Sequence, residues 1–337
     1  MPTYMYVSAS GDDKILIFTL DPKTGKLKTH GEVAVTGSPS NLVVDPSGQY
    51  MYVARKGTKE ISSFRRNKEN GDLSFIGTIP VEAEPGFLAT DRKGKYLFVT
   101  YFWVGKVAVY PIDNKGVAGV PPVEMIDTAK GVHSVETDPS NKFVFYPHIA
   151  VIGPNLILQF KFNETTGHLT PNTPDRVIPE EGVGPRDYCF HPKMNTVYFC
   201  NEEGSSVTVY RLDTAAGTLS ALQSISTIPD SFKEKNRCAL IHITPSGKSL
   251  YVANRGHNSI ACFSVDEHNG LLTTIGQVPT EPETRAFSLD LAGDFLFAAG
   301  EKSGRLLSYR INRQTGELIP LDVYSVGKAP WWIMPTK

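Results

Sequence analysis

A short turn recurs six times along the chain, and its spacing restricts the fold more than any other feature of the sequence. The copies are variants of Asp-Pro-x-Gly, and successive copies lie roughly 45 to 53 residues apart, the repeat length of propeller blades. Proline fixes φ, the Asp side chain accepts backbone hydrogen bonds, and glycine takes positive φ. The chain is therefore predicted to be an array of similar units. The turns begin at Asp45, Asp91, Asp138, His191, Thr244 and Asp290.

Each unit contains four predicted strands. An apolar run rich in aromatic and β-branched residues follows each turn, as in KYLFVT and NTVYFC. A third strand follows a short polar loop, as in KVAVYP, and a fourth, more polar strand often follows an Asn-Gly or Thr-Gly turn. No segment shows a helical period of useful length. Four antiparallel strands per unit, with the outermost strand most solvated, are typical of a β-propeller.

The two termini supply a seventh unit. The chain begins with the predicted strands TYMYVSAS and KILIFTL and ends with APWWIM. Joined in one blade, these segments would close the ring and remove exposed sheet edges. We predict an all-β, seven-bladed β-propeller, closed by N- and C-terminal strands that share one blade, as a single domain over residues 1–337. Two β-sandwiches, the main alternative, do not explain why both terminal half-units match the repeat.

Bulk properties argue against several classes of function. The formal net charge of -1 argues against nucleic-acid binding. No window is apolar over the length that crosses a bilayer, and the N-terminus lacks a signal-peptide pattern. The four cysteines form no Cys-x-x-Cys pair and lie in predicted strands, which favours buried, reduced thiols. The sequence predicts a cytoplasmic protein with no nucleic-acid or membrane partner.

Two sets of positions converge on one mouth of the predicted ring. In an antiparallel blade, the start of the first strand and the end of the second lie at the same edge, and first strands line the central channel. Arg237 lies two residues ahead of its set, and Trp103, Trp331 and Trp332 lie near the same mouth. The first set, five residues before each turn, is Ser40, Gly86, His133, Arg186, Ala239, Arg285 and, in the closing blade, Ala329. The second set, after the second strand, is Ser8, Lys56, Phe102, Ile149, Glu202, Arg255 and Glu301.

The residue types at this mouth indicate a site for an anionic ligand. Guanidinium groups bind carboxylates or phosphates and stabilise oxyanions, while histidine and glutamate serve as general base and acid if burial brings their pKa values near neutrality. The alternative is that starts of strands are simply exposed and polar, but the opposite face, rich in Asp, Pro, Ser and Gly, lacks this mixture. No metal motif, phosphate loop or nucleophile elbow is present, so no metal or cofactor is predicted. His191 and His242 are expected to be structural.

Several segments are similar to one family, among them GVHSVETDPS, GVGPRDYCFHP, IHITPSGKSLYVANR and VGKAPWWI. Over essentially its whole length the chain resembles the lactonase family of seven-bladed propellers, which includes 6-phosphogluconolactonases and carboxy-cis,cis-muconate cyclases. The resemblance implies a metal-independent enzyme for a small anionic lactone. It matches His133, Arg186 and Glu202 with the family's proposed active-site residues and Arg285 with a usual family arginine. Asp187 stands where the family commonly has histidine, and Leu240 where it commonly has an acid, which suggests a changed substrate.

The leading hypothesis is a hydrolase that opens a small anionic sugar-acid lactone, as 6-phosphogluconolactonases do, by general acid–base catalysis without a metal. The predicted catalytic residues are His133, Glu202 and Arg186. The predicted substrate-binding residues are Arg285, Arg255, Lys56, Arg237, Trp331 and Asp187. A cycloisomerase that forms a lactone from a carboxylated cis,cis-muconate, and hence binds a polycarboxylate, is the second hypothesis. A non-catalytic propeller that acts as a binding module is the third.

Overall fold

The chain folds into seven four-stranded antiparallel sheets, each built from four strands in the order expected of a propeller blade. The computed structural model describes residues 3–337, so residues 1 and 2 of the predicted domain lie outside the described residues. Within this range the regular structure other than strands is one 3-10 turn, Ser10–Asp12. The predicted all-β, seven-bladed architecture is confirmed.

Blades 1 to 4 follow one another along the chain, with the first strand of each innermost. The strands of blade 1 are β4 (Pro39–Val44), β5 (Tyr50–Arg55), β6 (Glu60–Arg66) and β7 (Leu73–Pro80). Those of blade 2 are β8 (Phe87–Thr90), β9 (Tyr96–Tyr101), β10 (Lys106–Pro111) and β11 (Glu124–Asp127). Those of blade 3 are β12 (Glu136–Thr137), β13 (Phe143–His148), β14 (Leu156–Phe162) and β15 (Leu169–Val177). Those of blade 4 are β16 (Pro185–Phe190), β17 (Thr196–Asn201), β18 (Ser206–Asp213) and β19 (Thr218–Ser226).

Blades 5 to 7 complete the ring. The strands of blade 5 are β20 (Arg237–Ile243), β21 (Ser249–Arg255), β22 (Ser259–Val265) and β23 (Leu272–Pro279). Those of blade 6 are β24 (Thr284–Leu289), β25 (Phe295–Gly300), β26 (Arg305–Ile311) and β27 (Leu318–Ser325). Those of blade 7 are β28 (Pro330–Thr336), β1 (Thr3–Ala9), β2 (Lys14–Leu20) and β3 (Leu27–Ala34).

Blade 7 closes the ring with strands from both ends of the chain, as predicted. β28 is the inner strand and pairs antiparallel with β1, with Tyr4 opposite Thr336 and Ser8 opposite Trp332. The buried Arg66 of blade 1 holds this strand in place: its Nη1 donates to Thr336 Oγ1 at 3.1 Å, and its Nη2 donates to the carbonyl of Lys337. The closing strand is therefore tied to the neighbouring blade by hydrogen bonds from one side chain.

The recurring turns are held by the side chain that opens them. Oδ1 of Asp45 accepts hydrogen bonds from the backbone N–H groups of Gln49 and Tyr50, at 2.9 and 2.7 Å. Asp91, Asp138 and Asp290 make the equivalent bonds in their blades. In blade 4, Nδ1 of His191 accepts hydrogen bonds from the backbone N–H groups of Lys193 and Met194 in the same turn, which gives His191 the structural role that was predicted.

The hydrophobic core lies between the blades, because each of the seven buried clusters takes its residues from two neighbouring blades. Tyrosines at the second strands extend this packing with hydrogen bonds: Tyr6 donates to the carbonyl of Gly71 at 2.7 Å, in the following blade. Gly71 has φ = +74°, and a Cβ there would collide with the ring of Tyr4. This close approach explains why a glycine-containing turn precedes the fourth strand.

Candidate active site

A cavity of about 530 Å³ opens at the mouth where first strands begin and second strands end. Five of its lining side chains are cationic and two are carboxylates, so the cavity carries an excess of positive charge while the whole chain is nearly neutral. Such a local excess attracts anionic ligands. Residues that line the cavity include Lys56, Glu84, Phe102, Trp103, His133, Ile149, Val151, Ile152, Arg186, Glu202, Arg237, Leu240, Arg255, Arg285 and Trp331.

Bulges in the inner strands aim three of these side chains into the cavity. In blade 4, Pro185 pairs with Asn201 and Asp187 with Cys200, which leaves Arg186 as the extra residue. Arg285 is the extra residue of the same kind of bulge in blade 6. A bulge bends the strand and redirects a side chain, and such features are common beside active sites.

The same bulge corrects one prediction for the closing blade. Ala329 was predicted to stand in the register of Arg186, but Ala9 pairs with Pro330 and Ser8 with Trp332, so Trp331 is the extra residue there. Ala329 instead has φ = +48°, like Gly184 two residues before Arg186, at +66°. Trp331 is therefore the residue of blade 7 that lines the cavity.

Glu202 is the shared counter-ion of two buried arginines. Its Oε2 lies 2.7 Å from Nε of Arg186, an ion pair without the alignment of a hydrogen bond, and its Oε1 lies 3.1 Å from Nη2 of Arg255. Arg237 lies at the edge of the pair, 4.0 Å from Oε1. Burial opposes the charge of Glu202, but Arg186 and Arg255 outweigh it and lower the pKa of the carboxylate. Glu202 is thus an anion at neutral pH that holds the arginines in position.

Backbone carbonyls of blade 5 also accept hydrogen bonds from these arginines. Nη1 of Arg186 donates to the carbonyl of Ala239, and Nη2 of Arg255 donates to that of Cys238 at 2.9 Å. Burial, with the charge of Arg186, lowers the pKa of Arg255 to about 10, which leaves it charged at neutral pH. The two guanidinium groups are therefore rigidly placed before any ligand arrives.

Trp331 carries two further cations on its ring. Nζ of Lys56 lies 3.7 Å and Cζ of Arg285 lies 4.2 Å from the ring centroid, within the range of cation–π attraction. Each cation also has its own carboxylate: Lys56 lies 3.3 Å from Oε1 of Glu84, and Arg285 lies 3.0 Å from Oε2 of Glu301. Burial lowers the pKa of Lys56, and Glu84 opposes the shift. The aromatic ring thus keeps two like charges together at the cavity wall.

His133 is a neutral imidazole beside these cations. Burial, then the charges of Arg186 and Arg285, hold its pKa well below 6.5. Its buried Nδ1 has no hydrogen-bond partner among residues 3–337, and its ring centroid lies 5.8 Å from that of Phe102. The backbone N–H of His133 donates to the carbonyl of Pro147 at 2.9 Å, which fixes the backbone from which the imidazole side chain extends. A neutral, partly buried imidazole that is free of a structural hydrogen bond is available for proton transfer.

The structure places Asp187 elsewhere, contrary to the prediction that it contacts substrate. Asp187 follows the bulge, so its side chain turns away from the cavity, and Oδ2 accepts a hydrogen bond from the backbone N–H of Ile241 at 3.2 Å. Burial raises its pKa to about 6. Asp187 is absent from the cavity wall and instead joins blades 4 and 5 beneath Arg186.

The other predicted site residues line the cavity, together with several residues that were not predicted from the sequence. Glu84 lies in the loop between β7 and β8. It does not stand at the position five residues before a turn, so the comparison of repeats did not select it. Val151 and Ile152 lie in the loop after β13 and carry no polar group that would have marked them. His242 does not line the cavity; its Nε2 donates to the carbonyl of Phe287 at 3.1 Å, which is a structural role.

Two further observations concern metals and membranes. Within residues 3–337, no three His, Cys, Asp or Glu side chains are arranged to hold a metal ion. No helix in that range has the length and apolar character needed to cross a membrane.

The fold and the cavity together define a seven-bladed propeller with a cationic pocket at one mouth, and comparisons with known proteins agree. The family model described as "Lactonase, 7-bladed beta-propeller" matches residues 2–87 and 81–335. The 6-phosphogluconolactonase of Pectobacterium carotovorum is 37% identical over 227 residues, 67% of each chain, and that of Pectobacterium atrosepticum is 36% identical over the same length. The chain belongs to the lactonase family of seven-bladed β-propellers.

A solved structure shows the same fold along the whole chain. The periplasmic gluconolactonase of Pseudomonas aeruginosa superposes with a TM-score of 0.92 and 24% sequence identity, over 100% of this chain and 99% of that one. At this identity the likeness concerns the fold.

Proposed function

We propose that the protein is a hydrolase that opens a small anionic sugar-acid lactone. Its family membership and the 6-phosphogluconolactonases among its relatives support this activity. The observation that carries the proposal is the convergence of Arg186, Arg255 and Arg285 on one cavity beside the neutral imidazole of His133. An anionic group and an ester carbonyl are the ligand features that this set recognises.

Binding and carbonyl activation divide among the cations. Lys56 and Arg285, held on Trp331, take the anionic group of the substrate, and Arg237 lies at the entrance with 56% of its side chain exposed. Arg186 is buried and fixed on two sides, so its remaining N–H groups present a rigid donor to the lactone carbonyl. A preorganised donor stabilises the oxyanion that develops when water attacks.

His133, rather than Glu202, acts as the general base. The sequence left this choice open. Glu202 is bound to Arg186 and Arg255 with a lowered pKa, which makes it a weak base that positions the arginines. His133 is unprotonated and lacks a structural partner within residues 3–337. An incoming anion offsets the surrounding cations, which moves the pKa of His133 back towards neutrality and strengthens it as a base.

The reaction then needs only water. His133 removes a proton as the water oxygen bonds to the lactone carbonyl carbon, and Arg186 stabilises the resulting oxyanion. The intermediate collapses, the bond between that carbon and the ring oxygen breaks, and the imidazolium returns its proton to the leaving alkoxide. The product is an open-chain hydroxy acid, and the enzyme regains its starting state.

The test is lactone hydrolysis by the purified protein, measured against the spontaneous rate in the presence of a chelator. His133→Ala and Arg186→Ala are each expected to lower kcat/KM by about 10²–10⁴-fold. Arg313→Ala is the matched control, because Arg313 is exposed and pairs with Asp294 far from the cavity wall. If both cavity variants keep kcat/KM within about threefold of the wild type, the proposed site is wrong.

The comparisons give no support to the second hypothesis, a muconate cycloisomerase, and ultraviolet absorbance of a carboxylated muconate with the protein would test it. The cytoplasm stays our proposal for the compartment, supported by four free cysteines. We also propose that the whole chain is one domain, since every core cluster is shared by two blades.

A further inference from the structure

The wall of the cavity divides into two arcs of opposite character. The cationic arc runs through blades 4 to 7 and blade 1, and its members are Arg186, Arg237, Arg255, Arg285, Trp331 and Lys56. The apolar arc belongs to the adjacent blades 2 and 3, and its members are Phe102, Trp103, Ile149, Val151 and Ile152. Since the blades follow one another around the ring, the two arcs face each other across one space.

The apolar arc offers little to a polyol. Among the lining side chains of blades 2 and 3, His133 and Trp103 are the ones that carry a polar atom. Hydroxyl groups placed against Val151, Ile152 and Ile149 would lose their hydrogen bonds to water and gain none from these side chains, which is unfavourable. A hydrocarbon surface in the same place would gain by removal of apolar area from water.

This apolar wall is fixed in place, although it is exposed. Val151 is 59% exposed, Ile152 38% and Trp103 58%. The carboxylate of Glu203 accepts hydrogen bonds from the backbone N–H groups of Ala150 and Val151, each at 3.2 Å, and so pins the loop after β13. On the other side, the ring centroids of Phe102 and Trp103 lie 4.9 Å apart, edge to face. Trp103, Val151 and Ile152 line the same cavity, and exposed apolar residues that are grouped in this way mark a binding surface rather than chance exposure.

The two arcs meet at His133. Phe102 of the apolar arc lies 5.8 Å from the His133 ring, and Arg186 of the cationic arc influences its protonation from the next blade. A lactone whose carbonyl lies at His133 therefore extends one substituent towards the cations and another towards Trp103, Val151 and Ile152.

We infer that the substrate is amphiphilic: an anionic lactone whose ring also carries an alkyl or aryl substituent, which the apolar arc binds. That the ligand is a lactone rests on the proposed function, but the binding of an anion with a hydrocarbon chain does not depend on turnover. It narrows the substrate class beyond an unsubstituted sugar-acid lactone.

The experiment is calorimetric titration of the full chain with butanoate, hexanoate and octanoate, and with gluconate as the polyol carboxylate. Affinity is expected to rise about three- to fourfold for each added methylene that the arc buries, and hexanoate should bind more tightly than gluconate. Val151→Ser combined with Ile152→Ser is expected to flatten the dependence on chain length. Val323→Ser is the matched control, because Val323 is 57% exposed on the outer strand β27; it should keep the dependence.

Three outcomes would overturn the inference. The first is an affinity that does not change with chain length, and the second is gluconate as the tighter ligand. The third is a double variant that keeps the wild-type dependence of affinity on chain length, while its mass by light scattering falls from that of a dimer to that of a monomer. In that case the apolar arc would be an interface between two copies of the chain. Circular dichroism checks that each variant is folded. A protein that hydrolyses no lactone but shows the chain-length dependence would contradict the proposed function and leave the apolar subsite standing.

Discussion

Arg186 and Trp331 occupy the same register position in two different blades, each as the extra residue of a bulge in an inner strand. One is a buried cation and the other an aromatic ring that carries two cations. The backbone device is the same, so the difference in chemistry comes from the side chain alone. Predictions at these positions therefore test side-chain chemistry on a shared backbone geometry.

Trp331→Ala is expected to raise KM for an anionic substrate by about 3- to 30-fold, with a smaller effect on kcat. The ring attracts both Lys56 and Arg285, and a partly buried cation–π contact contributes about 0.5–2 kcal/mol. Trp331→Phe keeps an aromatic face and should recover most of the lost affinity. Steady-state kinetics of the two variants provide the measurement, and equal KM values for Ala and Phe would contradict the role of the ring.

Glu202→Gln is expected to lower the free energy of unfolding by about 3–5 kcal/mol at neutral pH, because it leaves two buried arginines without their anion. The lowered pKa of Glu202 fixes the sign of the pH effect. Its stabilisation is present above its ordinary pKa of 4.5 and is lost as the pH falls through the folded-state value. Urea unfolding curves of wild type and variant should therefore begin to approach each other as the pH falls below about 4.5, and should coincide only below the lowered folded-state pKa.

Glu301→Gln is the control for that comparison. Glu301 also pairs with an arginine of the site, but its side chain is 31% exposed, against 8% for Glu202. Its substitution should cost about 1 kcal/mol or less. If the two glutamine variants lose the same stability, Glu202 is not the counter-ion on which the buried arginines depend.

His133→Gln is expected to reduce the loss of stability in mild acid. The folded-state pKa of His133 is depressed well below 6.5, so below pH 6.5 the unfolded chain binds a proton that the folded protein does not. The free energy of unfolding then falls as the pH falls, by up to about 1.4 kcal/mol per pH unit for this residue. Glutamine removes that contribution.

Unfolding curves between pH 7 and pH 5 measure the difference, with His268→Gln as the control because His268 is exposed at a loop tip. His242 and His148, whose pKa values burial lowers to about 4, contribute in the same sense and remain in both variants. Equal slopes for wild type and His133→Gln would show that His133 is protonated in the folded protein.

Arg66→Ala is expected to destabilise the closed ring by about 2–4 kcal/mol, because carbonyl groups that now accept hydrogen bonds from a buried cation would lose their partner. Arg65→Ala, on the same strand but exposed, should change stability by less than about 0.5 kcal/mol. In a Trp103→Phe background the remaining tryptophans, Trp331 and Trp332, lie in the closing strand, so their fluorescence reports on that strand, and circular dichroism reports on all blades. If the chain is one domain, the two unfolding curves coincide; separate transitions would contradict the single-domain proposal.

The architecture could be predicted because its determinants are local and repeated. The aromatic second strands and the glycine turns each occur once per blade, and Asp leads the turn in four blades. Each of these features reports a hydrogen bond or contact that the structure contains. Comparison of the chain with itself therefore located seven blades and the mouth at which His133, Arg186, Glu202 and Arg285 meet.

The finer geometry of the site escaped because a bulge adds a residue without changing the hydrophobic pattern. Counting back from the turn worked where the bulge had the same size, as at Arg186 and Arg285. The closing blade has no Asp-led turn, so the count failed by two residues and selected Ala329 instead of Trp331. The alternation of faces also breaks after a bulge, which is why Asp187 lies between the blades and not in the cavity.

The carboxylate of Glu202 is a resident anion. It pairs with Arg186 and Arg255 at 2.7 and 3.1 Å, so these cations are already partly neutralised by the protein itself. Opening of a lactone creates a new carboxylate beside the same arginines. The product carboxylate must compete for these arginines with the carboxylate of Glu202, which is part of the protein. We therefore expect the product to dissociate more readily than its charge alone would suggest. A negative charge inside the anion-binding site would then speed turnover.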